Sequence, residues 1–134
     1  MYMLDTDICI YIIKKRPESI LKKFNKFKNR NIYISVITFA ELQYGVERSS
    51  SKKFNQKIID DFVSHLFVVP WDKKAAIQYG KLRNSLNKKG SPIGNMDLMI
   101  ASHALSQNFT LVTLVTNNVK EFKRTPNLKY ENWV

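Results

Sequence analysis

The chain has 134 residues, 44% of them hydrophobic, enough to bury one core and too few for two comfortable ones, so a single domain spanning 1–134 is expected. Its formal net charge of +11 favours a polyanionic partner. Cys9 is the only cysteine, which excludes an internal disulfide and suits a reducing, cytoplasmic setting.

In chain order, the N-terminal stretch MYMLDTDICIYIIKK is apolar but interrupted by Asp5 and Asp7. No basic region precedes it and no small-residue cleavage site follows, so it reads as neither signal peptide nor membrane span. A short strand at 2–4 runs into a helix at about 7–15. Pro17 then opens a second helix in which Ile20, Leu21, Phe24 and Phe27 recur at helical spacing. The opposite face is basic: residues 14–30 hold eight Lys and Arg against Glu18 alone. Such a run serves equally as a solvated helix face or as a contact for nucleic acid.

IYISV at 32–36 is β-branched, and Thr38-Phe39-Ala40-Glu41 after it has the capping-box pattern of a helix start. An amphipathic helix follows at about 52–65, then LFVVP at 66–70, read as a buried strand. Asp72 caps a helix carrying Ala75, Tyr79, Leu82 and Leu86, which ends near Gly90. The next helix starts near Asn95 to Asp97, is mostly apolar and should be central. FTLVTLVT at 109–116 is a strong strand. Alternating strands and helices imply an α/β fold with a mainly parallel sheet covered on both faces.

Three acids fall at helix starts on this map: Asp5 directly after the first strand, Glu41 in the first turn of the helix after the second, and Asp97 at the opening of the central helix after the Gly90 to Gly94 loop. In open α/β sheets the ligand crevice lies beyond the carboxyl ends of the strands, where such groups converge. Clustered carboxylates repel unless a cation separates them, and Mg²⁺ or Mn²⁺ prefers hard oxygen ligands. An acidic pocket in a basic protein then fits phosphodiester chemistry, with Lys and Arg on the backbone and the ion at the scissile phosphate. Local roles compete. Glu41 also suits the capping box and Asp97 suits an N-cap, whereas Asp5 lies in the apolar run Met3-Leu4-Asp5-Thr6, where an unpaired acid is costly.

Other chemistry has little support. His65 and His103 are the only histidines, without a cysteine pair or HExxH pattern, which argues against zinc, and no glycine-rich phosphate loop is present. Cys9 reads as a small core residue, and Trp71, Trp133 and the tyrosines as packing groups before base-stacking ones. A receiver-like phosphorylation domain also gathers acids and Mg²⁺, but after the third strand this chain offers only Asp72.

With these residues placed, the sequence resembles the PIN-domain ribonucleases, and within them the VapC toxins of bacterial type II toxin–antitoxin pairs. The resemblance runs nearly end to end through MLDTDICIYIIK, SVITFAELQYGV, GSPIGNMDLMIASHAL and LVTNNVKEFKR. It implies that Asp5, Glu41 and Asp97 are metal-binding catalytic residues using Mg²⁺, with Mn²⁺ as substitute. It further implies hydrolysis of RNA to a 5′-phosphate and a 3′-hydroxyl, a homodimer, and a VapB-like antitoxin that forms a larger complex and brings DNA binding. Thr6, Thr116, Asn118 and Glu121 are candidates for the outer shell.

Two features depart from the family pattern. Many PIN domains carry a fourth acid where this chain has Asn117 and Asn118, so Asn118 holds a metal-bound water or Glu121 supplies the charge, the latter being favoured. The tandem Leu111-Val112-Thr113 and Leu114-Val115-Thr116 stands where the family has one copy, which leaves open the threonine that lines the site. The rival to hydrolysis is a non-catalytic RNA-binding module that blocks translation through the basic segment.

Overall fold

The computed structural model describes residues 1–15, 18–27, 32–113 and 122–133, with the backbone alone at 111–113. Pro17, Thr116, Asn118 and Glu121, and hence the second half of the tandem repeat, lie outside the described residues. In chain order the elements are β1 (Tyr2–Leu4), α1 (Thr6–Ile13), α2 (Glu18–Phe27), β2 (Ile32–Ser35), α3 (Val36–Glu47), α4 (Lys52–Val63), β3 (Phe67–Val69), α5 (Lys73–Lys88), α6 (Asn95–Ser106), β4 (Thr110–Thr113) and β5 (Tyr130–Asn132).

The five strands form one sheet in the order β3-β2-β1-β4-β5, and every pairing is parallel. Side chains alternate across it as a pleated strand requires. From β1, Tyr2 and Leu4 enter a core with Ile8, Phe24, Ile32, Ile34, Leu42, Phe62 and Trp133. Met3 points the other way, to Leu82, Leu86, Leu98, Ile100, Phe109 and Phe122. Helices α1 to α4 contribute to the first core, and α5 and α6 to the second, so both faces are covered. Helix α6 buries Leu98, Ile100, Ala101, Ser102, His103 and Ala104, which makes it central as expected. Among the described residues no helix is long and apolar enough to cross a membrane.

Three expectations are corrected. LFVVP is not a buried strand: β3 lies at the sheet edge, and Phe67 is 59% and Val68 38% exposed. Its apolar composition is that of an edge with one covered neighbour. The capping box is absent, because α3 begins at Val36 and its N-cap is Ser35, whose Oγ accepts from the Ile37 N–H at 3.1 Å. Strand and helix abut with no intervening residue, so Thr38 and Glu41 fall inside the helix. Asp97 does not cap α6 either, since Gly94 occupies that position and Asp97 sits in the first turn. Strand β5 was not anticipated from YEN, which lacks a β-branched residue; its place is secured by pairing with β4 and by the burial of Trp133 against Tyr2 and Phe27.

Candidate active site

Sheet order reverses beside β1: β2 and β3 lie to one side, β4 and β5 to the other. A crevice at the carboxyl ends of the strands is expected at such a switch point. A cleft of about 520 Å³ is lined there by Asp5, Thr6, Asp7 and Ile10 from the β1–α1 junction and α1, by Glu41, Tyr44 and Gly45 from α3 with Arg48 at its C-cap, and by Gly94, Asn95, Met96 and Asp97 from the start of α6. Three segments far apart in sequence thus bring Asp5, Glu41 and Asp97 to one cavity. They bring a fourth acid as well. Asp7 was passed over in the sequence because it looked like an interruption of an apolar run; its spacing of two from Asp5, across the strand-to-helix switch, was the available signal.

Each acid is set by its local structure. Asp5 is the N-cap of α1 and only 2% exposed, and its Oδ1 accepts from the Ile8 N–H at 2.9 Å. A charge-assisted bond to a helix N-terminus is what permits a carboxylate at that depth. Glu41 is half-buried in the second turn of α3, where its Oε1 accepts from the Thr6 hydroxyl at 2.6 Å. Thr6 Oγ1 also lies 3.4 Å from the Thr38 hydroxyl, so one threonine ties α1 to α3 at the cleft floor. Asp97 is half-buried with its Oδ2 toward Gly94: a Cβ on that glycine would stand 3.7 Å away, an ordinary contact.

The cleft is electronegative. Burial pushes the Cys9 thiol up, and the charge of Asp5, followed by those of Asp7 and Glu41, adds to that shift. Among the described residues, Arg48 is the one cation on the lining. Among the described residues, no three acids already stand in a metal-holding arrangement. Four carboxylates converging on one cleft in a protein of net charge +11 nevertheless match the hard-oxygen donor set of Mg²⁺ or Mn²⁺.

Behind the cleft, His103 of α6 is fully buried and its Nδ1 lies 2.7 Å from Ser35 Oγ. Ser35 Oγ thus accepts from the Ile37 amide and bonds the imidazole at once. Burial lowers the His103 pKa, against the opposing influences of Asp72 and the Pro70 carbonyl. The imidazole is a neutral strut between β2, α3 and α6.

A sheet switch point with its acids in one crevice defines the class, an α/β domain with its site at the carboxyl edge. The PIN domain family model matches residues 2–128. The chain is 52% identical to "Ribonuclease VapC2" of Rickettsia felis, covering 99% of this chain and 98% of the relative. It is 43% identical to "tRNA(fMet)-specific endonuclease VapC" of Salmonella typhimurium, covering 98% and 97%. Solved structures agree: it superposes with a TM-score of 0.90 and 49% identity on VapBC2 from Rickettsia felis bound to a promoter DNA fragment, over 99% of this chain and 98% of that one. For DNA-bound VapBC from Salmonella typhimurium the TM-score is 0.91 at 43% identity, over 99% and 98%. The chain belongs to the PIN domain family, in its VapC ribonuclease branch.

Proposed function

We propose that this protein is the toxin of a type II toxin–antitoxin pair, a cytoplasmic endoribonuclease whose domain spans 1–134 and which stops translation by hydrolysing RNA phosphodiester bonds. The observation that carries this reading is the convergence of Asp5, Asp7, Glu41 and Asp97 on one cleft of a strongly basic protein. Asp5, Asp97 and Glu41 would hold Mg²⁺, or Mn²⁺ in its place. Such an ion neutralises the clustered acids and the scissile phosphate and makes a bound water more acidic.

The chain's own residues do the positioning. The Ile8 amide fixes the Asp5 carboxylate, Thr6 aims Glu41 across the cleft, and the first turn of α6 presents Asp97 beside Asn95. Glu41, with one oxygen occupied by Thr6, keeps the other for the ion or for the attacking water. The name of the Salmonella relative makes tRNA(fMet) the first substrate to test. Cleavage of that tRNA is expected with Mg²⁺, and neither with EDTA nor after Asp97→Asn; cleavage undiminished in all three would refute the site.

The VapBC structures support an antitoxin partner and, with it, DNA binding supplied by the antitoxin. A groove of about 780 Å³ between α1, α2 and α4, lined by Ile12, Ile13, Leu21, Phe24, Phe54, Ile58 and Phe62, suits the apolar face of a partner helix. Phe54 is 67% exposed there. A homodimer completes the proposed assembly. The non-catalytic reading draws on the lack, among the described residues, of three acids already placed to hold a metal. RNA binding that survives Asp97→Asn, with no products under excess Mg²⁺, would favour it.

A further inference from the structure

One face of α3, continued through its C-cap Arg48, presents Glu41, Tyr44, Gly45 and Arg48 to the cleft, a spacing of i, i+3, i+4 and i+7. Glu41 belongs to the acidic centre, but the other three have no part in it. Tyr44 is 66% exposed, so the ordinary explanation of an aromatic as core does not apply. The Arg48 guanidinium lies 5.5 Å from its ring centroid and covers one face, which steadies the ring and leaves the other face open. Arg48 makes no ion pair among the described residues, although acids line the same cleft.

Gly45 completes the pattern. Glycine inside a helix costs stability, and here neither backbone nor packing asks for it: its conformation is helical, and a Cβ would meet nothing within 4 Å. Openness alone is not diagnostic, since Gly80 in α5 shares it. What sets Gly45 apart is its place in the cleft wall between Tyr44 and Arg48.

We propose that this face of α3 is a nucleotide seat beside the carboxylates, where an unpaired RNA base stacks on the open face of Tyr44, Gly45 leaves room for it, and Arg48 holds the adjoining phosphate. Single-stranded RNA is read by stacking on aromatic rings, with cations following its backbone. The seat gives the enzyme a preference for an unstacked nucleotide next to the scissile bond, as in a loop. This inference rests on the RNA-hydrolase reading.

The test measures anisotropy of a fluorescein-labelled single-stranded RNA decamer with the full chain in EDTA, and cleavage of the same RNA in Mg²⁺. Tyr44→Ala is expected to weaken binding by roughly 5- to 150-fold, and to raise KM more than it lowers kcat. Tyr44→Phe, which keeps the ring, should restore most of the loss. Gly45→Met should weaken binding about tenfold or more while melting no lower than wild type, because Met favours the helix and only fills the seat. Arg48→Ala should shallow the salt dependence by about 0.7 in log–log slope, one phosphate contact.

Tyr44→Ala and Gly45→Met proteins that bind the decamer as wild type does would overturn the seat, even if wild type cleaves RNA. The same variants losing inhibition by the antitoxin with RNA binding intact would also overturn it, and would assign the face to a protein contact. The expected binding pattern in EDTA without any cleavage in Mg²⁺ would uphold the seat and sink the hydrolase reading.

Discussion

Thr6 shows how a neutral side chain can govern a charged centre. Its hydroxyl donates to Glu41 across two helices whose sequences are separated by 35 positions, and Thr6→Val removes that bond without changing the shape of the side chain. Groups that orient a metal ligand typically matter by about 10–100-fold, so Thr6→Val should lower RNA cleavage by that factor while the fold persists. Asp97→Asn should cost more, on the order of 10²-fold or beyond, because it alters a proposed ligand itself. Steady-state cleavage assays on the two variants check the order. From the sequence, Asp5, Glu41 and Asp97 were legible as a set because each lies near the start of a helix, the first two directly after a strand. Asp7 was not, because in the sequence it only interrupts an apolar run, and the fold is what turns it into the same cleft. Thr6 was named only through the family resemblance, and its bond to Glu41 required the fold.

At the scale of elements, the β2–α3 junction is where sequence and structure diverge most usefully. Thr38 and Glu41 have the capping-box spacing, but Ser35 caps the helix because β2 runs into α3 without a loop. A pattern for a helix start carries no information about how far a strand delays it. Ser35 serves two partners, the Ile37 amide and His103, so Ser35→Ala removes a cap and strands a buried imidazole nitrogen. The expected loss is about 2–4 kcal/mol in urea unfolding.

His103 adds a pH dependence. Its folded pKa lies below the ordinary 6.5, so the unfolded chain protonates first on acidification. Its contribution is therefore intact above pH 6.5 and is lost as pH falls from there toward the lowered folded value. The slope approaches about 1.4 kcal/mol per pH unit in that window. Urea unfolding at pH 7.5 and 5.5 should show a smaller difference for His103→Gln than for wild type. The groove between α1, α2 and α4 yields a separate expectation. Phe54→Glu places a charge on its exposed apolar wall and should abolish neutralisation by the antitoxin while leaving RNA cleavage at the distant cleft intact.

Over the whole molecule, the α/β class was legible because strand-like and helix-like periods alternate along nearly the full length. The edge positions of β3 and β5 were not, since strand order depends on crossovers that no local pattern encodes. Buried β2 and exposed β3 read alike as short apolar runs. Charge is arranged on a comparable scale: Lys22, Lys23 and Lys26 on α2 and Lys52, Lys53 and Lys57 on α4 are all exposed, while the acids gather in the cleft. A cationic exterior around an anionic centre predicts RNA binding that weakens with salt. Three phosphate contacts would give a loss of about 20-fold from 50 to 200 mM.

The proposed chemistry depends on a divalent ion that Asp5, Glu41 and Asp97 would hold in this cleft. Mn²⁺ titration followed by electron paramagnetic resonance measures it directly, since bound Mn²⁺ loses the six-line signal of the free ion. Wild type should take up Mn²⁺ and release it to excess Mg²⁺, and Asp5→Asn and Asp97→Asn should each lose that uptake while remaining folded. Equal Mn²⁺ uptake by wild type and both variants would contradict a site built from these carboxylates.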